Sequence, residues 1–173
     1  MIHQSNPQKP TDWSFEVPHE GRPAEDLRNI FHSSSQFREQ AGAMLLNMGV
    51  SPPIHDARSI LTSSDSQDSK RKAAEMIIKS GSNDDLLTVI EYDKRYAEQA
   101  WDILKKRNAS SSHLSQVMYC AMFAKNTKME TEAWELFTQQ NPSNEELEYV
   151  VSRCSPQYKT KAAAMLLTQG ERE

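Results

Sequence analysis

Side chains that could carry acid–base, nucleophilic or metal chemistry are spread thinly along this chain. The five histidines never form a helical pair at metal-ligand spacing: His3, His19, His32, His55 and His113. The five glycines stand singly, so the sequence contains no glycine-rich loop of the kind that cradles a phosphate. From these residues we expect no catalytic site, no metal site and no cofactor, and we predict that the protein is not an enzyme.

The cysteines and the paired carboxylates also favour a structural interpretation. Cys120 lies among apolar neighbours, and Cys154 is not at metal-ligand spacing from it, which is typical of two free thiols in a reducing compartment. Asp84-Asp85 and Glu145-Glu146 fall where helices are expected to begin, and the helix dipole favours acids in a first turn. We therefore expect both acidic pairs to stabilise helices.

Composition and charge restrict the class of protein further. Hydrophobic residues make up 37% of the 173 residues, and the formal net charge is −4. This balance allows a lean core, and it counts against a protein that grips nucleic acid through phosphates. Residues 1–11 are polar and lack the apolar core of a signal peptide, and no run approaches the roughly 18 apolar residues of a membrane span. We expect a cytoplasmic protein without a membrane-spanning segment.

The elements that would position any functional residue follow an internal repeat. An alanine recurs every 27 to 33 residues, a period of about 30. Apolar or aromatic residues stand four residues before each alanine, except at Ser69, and three and four residues after it, which places them on one helical face. The anchor alanines are Ala41, Ala73, Ala100, Ala133 and Ala162.

Helix punctuation keeps the same register. Glycine or asparagine, the residues that best adopt the left-handed conformation, stands eight residues after each anchor, at Gly49, Gly81, Asn108, Asn141 and Gly170. A capping residue stands ten residues after the first four anchors, at Ser51, Asn83, Ser110 and Ser143. Residues 131–151 show one whole unit, in which Asn141-Pro142 ends a helix and a capping box from Ser143 to Glu146 begins the next.

Alternating short helices of this period resemble the α-solenoid repeats, in particular HEAT-like repeats. The segment NPSNEELEYVV at residues 141–151 is similar to the leucine-rich repeat variant family. The resemblance covers about residues 36–169 and implies an all-α, right-handed α-solenoid of about four and a half helix-turn-helix repeats. We accordingly divide the chain into a mobile N-terminal arm with a short helix, residues 1–35, and a helical-repeat domain, residues 36–170.

Aromatic residues are the candidates for binding a partner. Trp101 and Trp134 occupy the same repeat position, where they would either pack between repeats or anchor a partner. Tyr92, Tyr119 and Tyr149 fall near the ends of the second helices, where they would either join the core or line a groove. The alternating segment at Trp13, Phe15 and Val17 would either lie on the protein's own helices or serve as an N-terminal docking segment.

The leading hypothesis is a protein–protein interaction module, an adaptor or scaffold that binds a peptide or protein partner on a helical-repeat surface. One alternative is a HEAT-like protein that binds nucleic acid through a basic face. Four groups of cations near the first helices would form that face: residues 70–72, residues 94–95, residues 105–107 and the pair Lys159/Lys161. A second alternative is a bacterial-type secreted or regulatory factor, with the polar N-terminus as its address. The sequence leaves the oligomeric state open.

Overall fold

The structure is a computed structural model that describes residues 23–34, 37–47 and 54–170. Within these ranges every regular element is an α-helix and no strand occurs, which confirms the predicted all-α class. The helices are α1 Pro23–Ser33, α2 Arg38–Asn47, α3 Ile54–Ser63, α4 Gln67–Ser80, α5 Asn83–Tyr92, α6 Ala97–Lys106, α7 Ser111–Ala124, α8 Thr127–Gln139, α9 Asn144–Arg153 and α10 Pro156–Gly170.

The helix starts follow from capping residues in the sequence. The predicted capping box between Ser143 and Glu146 is confirmed at α9, where both of its hydrogen bonds form. A second box joins Ser82 to Asp85 at α5, so Ser82 caps that helix rather than the predicted Asn83. Ser110 caps α7 by accepting from the His113 amide. These caps satisfy amide groups that a helix start would otherwise leave unpaired.

The helix ends differ from one unit to the next. Asn108 and Asn141 adopt the predicted left-handed conformation, each with φ of 51°. The same prediction is wrong for Gly81, whose φ is −70°. Glycine is required there by close packing, because a Cβ atom would lie 2.7 Å from the Ile77 carbonyl oxygen and 2.8 Å from Ile77 Cγ2.

Consecutive helices pack in pairs, but not in the pairs that the sequence unit implies. The closely packed pairs are α1 with α2, α3 with α4, α5 with α6, α7 with α8, and α9 with α10. The sequence unit at residues 131–151 joins α8 to α9, yet α8 packs mainly on α7, and α9 mainly on α10. Odd-numbered helices also contact each other in order from α3 to α9, and α4 contacts both α2 and α6. This order places the ends of α5, α7 and α9 side by side.

Most of the repeat positions found in the sequence form the core, but Phe37, four residues before Ala41, is 41% exposed. All five anchor alanines are buried, and so are the four residues Leu45, Ile77, Leu104 and Phe137, which stand four positions after an anchor. The position three residues after an anchor lies at the margin of the core, where Leu136 is half-buried and Met44 is exposed. Burial of one regular face of each helix supplies the main driving force for packing.

Helix α1 belongs to the same core as the helices that follow it. Phe31 is 2% exposed, and its ring lies close to Gly42 of α2. Arg28 donates from Nε to Asp56 Oδ2 of α3 over 2.6 Å. The packed structure therefore extends to the amino-terminal side of the boundary drawn at residues 35 and 36. Trp13, Phe15, Val17, Gly49 and Ser51 lie outside the described residues.

Candidate functional site

The three candidate tyrosines come from three different helices that pack side by side. Tyr92 is the last residue of α5, Tyr119 lies in the second half of α7, and Tyr149 lies in α9. Tyr92 is 48% exposed, whereas Tyr119 and Tyr149 are half-buried. Cys120 of α7 lies close enough to both Tyr92 and Tyr149 to influence the pKa of each phenol. The fold thus gathers residues that are far apart in sequence around one thiol.

A cavity of about 360 Å³ opens beside Tyr119, the one of these three tyrosines that lines it. Phe123, one turn after Tyr119, is 67% exposed, and the two rings meet edge to face with centroids 4.8 Å apart. We call Tyr92, Tyr119, Phe123 and Tyr149 the aromatic edge. The cavity lies between the end of α5 and the end of α7 and is lined by Ile90, Glu91, Lys94, Tyr119, Cys120, Phe123 and Ala124.

A second cavity of about 200 Å³ continues from the first toward the start of α6. Ile90, Lys94 and Ala124 line both cavities, so the two form one groove. Arg95, Ala97, Glu98 and Asn126 line the far end. We call the joined cavities the α5–α7 groove. Its wall is apolar at the aromatic edge and polar at the far end, which suits a ligand with both kinds of surface.

Three titratable side chains in or near the groove have raised pKa values. Burial and the Glu91 carboxylate raise the pKa of the Cys120 thiol to about 11, so the thiol stays protonated at neutral pH. The same carboxylate raises the pKa of the Tyr92 phenol. Burial is the main cause that raises the pKa of Tyr149. All three groups are therefore neutral at pH 7, and Cys120 is the one of the three that lines the groove.

Trp101 and Trp134 lie between even-numbered helices, away from the aromatic edge. Trp101 is 3% exposed and donates from Nε1 to Glu132 of α8 over 2.9 Å. Trp134 is 9% exposed and packs on Tyr158 of α10, with ring centroids 5.3 Å apart. Both indoles therefore make contacts between neighbouring units, and Trp101 also lines a cavity of about 80 Å³ that shares Glu98 and Asn126 with the far end of the α5–α7 groove.

One serine, histidine and aspartate come together near the start of α7. Ser110 Oγ lies 2.5 Å from His113 Nδ1, and His113 Nε2 lies 3.3 Å from Asp84 Oδ1. Ser110 is also the N-cap of α7, and none of the three residues lines the α5–α7 groove. The arrangement joins α7 to α5.

The predicted acidic pairs lie in first turns, as expected. Asp85 and Glu146 complete capping boxes, and Asp85 also binds Arg58 of α3 over 2.6 Å. Burial alone would raise the pKa of Asp85. The hydrogen bonds from the Ser82 hydroxyl and amide and the charge of the Arg58 guanidinium lower it by more, so the net shift is downward. Among the described residues, no group of three His, Cys, Asp or Glu side chains could hold a metal ion.

The basic groups that would make a phosphate-binding stripe are largely engaged by neighbouring oxygen atoms. In the first group, Arg71 binds Asp68 over 2.7 Å and Glu75 over 2.8 Å. The other contacts are Lys72 with Asp68 at 3.1 Å, Arg95 with Asp93 at 2.8 Å, Lys105 with Asp102 at 3.0 Å, and Arg107 with the Gly81 carbonyl at 2.7 Å. These cations are therefore poorly placed to exchange counterions for phosphates.

Sequence reasoning missed Phe123 and Lys94. The signal for Phe123 was present, because it stands four residues after Tyr119 and so shares its helical face. Lys94 was grouped with Arg95 as part of a basic run. Only the structure shows that Lys94 lines the groove while Arg95 binds Asp93.

Comparison with known proteins adds no relative: no family model, no curated protein and no solved structure matches this chain. In the described part of the chain, no helix combines the length and apolar character needed to cross a bilayer, and the longest, α10, has 15 residues.

Proposed function

We propose that this protein is a non-catalytic protein–protein interaction module, an adaptor or scaffold that binds a peptide or protein partner at its aromatic edge. The observation that carries the proposal is Phe123, a large apolar side chain that is 67% exposed beside an apolar-walled cavity of about 360 Å³. Exposed aromatic residues next to a concave surface are typical of binding hot spots. Tyr119 lines the same cavity and packs against Phe123, and the exposed Tyr92 lies at the end of α5 next to the lining residue Glu91.

The architecture we propose for this module is the right-handed α-solenoid, with about four and a half repeats of about 30 residues. Four of the polar contacts between neighbouring units support the period, because their partners stand 27 to 31 residues apart, within the range of 21 to 39 residues that such contacts span. They include Trp101 with Glu132, Thr131 with Tyr158, and Gln140 with the Ala109 carbonyl. A stack of this kind offers an extended surface that a partner can follow.

The neutral thiols support a cytoplasmic setting for the interaction. Cys120 and Cys154 are both free, and burial followed by the Glu130 carboxylate raises the pKa of Cys154 to about 12. Free structural thiols of this kind are common in a reducing compartment.

Affinity capture with matched variants tests the proposal. The full chain, the double variant Tyr92→Ser/Phe123→Ser and the control Leu167→Ser are used as baits in an extract of the source cells. Leu167 is a suitable control because it is 73% exposed on α10. We expect a protein captured by the wild type and by Leu167→Ser to be lost with the double variant. Equal capture by all three baits would contradict the proposal.

A shorter bait that begins at Pro23 assigns the role of the N-terminal segment. It keeps α1, whose Phe31 belongs to the core, and removes Trp13, Phe15 and Val17. Retention of the partner would place binding on the helices. Loss of the partner from this bait alone would assign binding to the N-terminal docking segment instead.

A further inference from the structure

We propose that the α5–α7 groove selects short peptide segments in which a large apolar side chain is flanked by acidic residues, and that Lys94 is the residue that reads the acid. This inference rests on the proposed function and adds the chemistry of the partner. It comes from the position of Lys94, the charges around the aromatic edge, and the shape of the groove.

Lys94 is the cation placed to meet a ligand. It lies in the turn between α5 and α6, is exposed, and lines both cavities of the α5–α7 groove. Within the described residues it makes no ion pair. Its neighbour Arg95 binds Asp93 through two hydrogen bonds of 3.1 and 2.8 Å, and Asp93 is only 5% exposed. The two adjacent cations therefore differ: Arg95 lines only the far end of the groove and is paired with Asp93, whereas Lys94 lines both cavities and has no such partner.

Two further cations extend the positive charge along the ends of the odd-numbered helices. Lys125 follows α7, and Arg153 is the last residue of α9; both are exposed and neither makes an ion pair among the described residues. The acids nearest the groove are Glu91, which lies beside the Tyr92 phenol, and Glu98 at the far end. These two acids and the exposed Glu148 beside Tyr149 balance the three cations, so a preference for an acidic ligand depends on the position of Lys94, the unpaired cation that lines both cavities.

The groove itself favours a peptide over a nucleic acid. The apolar residues of its larger cavity are Ile90, Cys120, Phe123 and Ala124, and these would desolvate an apolar side chain of the peptide. A phosphate backbone gains affinity from many cations in a row, whereas this surface presents Lys94 with two others at neighbouring helix ends. A peptide can place an apolar side chain in the larger cavity and an adjacent acidic side chain beside Lys94, so it can contact both the apolar wall and the cation of the groove.

A displayed library of random short peptides tests the inference with the full chain as bait. The library is also selected in parallel against three variant baits: Lys94→Glu, Phe123→Ser, and the control Lys79→Glu. Lys79 is exposed in the last turn of α4 and makes no ion pair among the described residues, so it changes net charge equally at a distant site. We expect wild type and Lys79→Glu to enrich apolar residues flanked by Asp or Glu, Lys94→Glu to lose the acidic preference, and Phe123→Ser to enrich little.

Binding constants for a fluorescent copy of the enriched peptide make the result quantitative. Lys94→Glu should weaken that peptide by about fivefold at low salt, with a smaller difference at high salt, because an exposed ion pair is modest and screened. If the wild type enriched apolar peptides without acidic residues, and Lys94→Glu enriched the same peptides, the role of Lys94 would be overturned and the proposed function would stand. No enrichment by any bait, or binding of a single-stranded oligonucleotide that Lys94→Glu abolishes, would overturn both.

Discussion

At the scale of single residues, Gly81 and Asn108 end helices for different physical reasons. Gly81 has an ordinary φ but no room for a Cβ atom against Ile77. Asn108 has a φ of 51° and its side chain is exposed, so its constraint is conformational. From the sequence alone, both positions are predicted to be left-handed helix ends, because glycine and asparagine both tolerate that conformation.

This difference predicts different responses to substitution at the two positions. Gly81→Ala should lower the free energy of unfolding by about 1–3 kcal/mol, since the added methyl group displaces packed atoms. Asn108→Gly should change it by less than about 0.5 kcal/mol, while Asn108→Ala should cost about 1 kcal/mol because alanine tolerates the conformation poorly. Urea denaturation followed by circular dichroism measures all three. A neutral Gly81→Ala would show that the space at Ile77 adapts freely.

Asp85 links acid stability to one buried side chain. Its pKa lies below the ordinary value of 3.8, because the hydrogen bonds of the Ser82 cap and the Arg58 guanidinium outweigh the cost of burial. A carboxyl with a lowered folded-state pKa adds stability above its unfolded-state pKa, and that stability is lost as pH falls through the folded-state value. The contribution is therefore complete at neutral pH and declines below about pH 4.

We accordingly expect Asp85→Asn to lower the free energy of unfolding by about 1–3 kcal/mol at neutral pH, since it leaves buried partners unsatisfied. The difference from wild type should shrink toward pH 3, as the wild-type carboxyl becomes protonated. Glu145→Gln, an exposed acid in the first turn of α9, serves as the control and should stay within about 0.5 kcal/mol. A gap for Asp85→Asn that does not depend on pH would exclude titration of this carboxyl as its origin.

At the scale of helices, two adjacent positions that look alike in sequence differ in burial. Leu136 and Phe137 both lie on the apolar side of α8, but Phe137 is fully buried and Leu136 is half-buried at the margin of the core. Phe137 also lies beside the Trp134 ring, with centroids 5.8 Å apart. The contribution of α8 to stability is therefore concentrated at Phe137.

We expect Phe137→Ala to lower the free energy of unfolding by about 3–5 kcal/mol, the usual cost of removing a buried aromatic ring. Leu167→Ala, at a position that is 73% exposed on α10, should change it by less than about 0.5 kcal/mol. Equilibrium unfolding in urea gives both values. Similar costs at the two positions would mean that the burial pattern of α8 or α10 is different from the one described.

The sequence predicted helices and their faces well because those features are local. Capping serines, helix-ending asparagines and apolar spacing act within one or two turns, and the anchor and following core positions are buried as expected. The choice of neighbour was not predictable in this way. An apolar stripe at α8 shows that the helix needs a partner, but it does not say that α7 rather than α9 covers most of it.

The residues of the candidate site likewise divide into those that local patterns predict and those that only the packing of helices shows. Tyr92, Tyr119 and Tyr149 were selected because they recur near the ends of second helices, and the structure brings them around Cys120. Phe123 and Lys94 were missed, because their importance depends on a cavity formed by the meeting of α5 and α7. Whether Trp101 and Trp134 pack or bind also depended on which helices became neighbours.

At the scale of the whole molecule, polar contacts that hold the odd-numbered helices together lie at the starts of those helices, and the proposed partner-binding surface lies at their ends. The acidic first turns join neighbouring odd-numbered helices, as Asp85 does with Arg58. The opposite ends of α5, α7 and α9 carry the aromatic edge and the unpaired cations. One end of the odd-numbered helices thus stabilises the fold, and the other carries the surface that we propose for recognition.

Backbone NMR during a peptide titration tests this claim most directly. The probe is the acidic–apolar peptide enriched by the wild-type chain, added to the full protein labelled with nitrogen-15. We predict saturable shifts centred on residues 90–95 and 119–126 and on Tyr149, which are absent in the Phe123→Ser variant. Saturable shifts centred instead on Trp101 and Lys105, or the same shifts in the Phe123→Ser variant, would contradict the account.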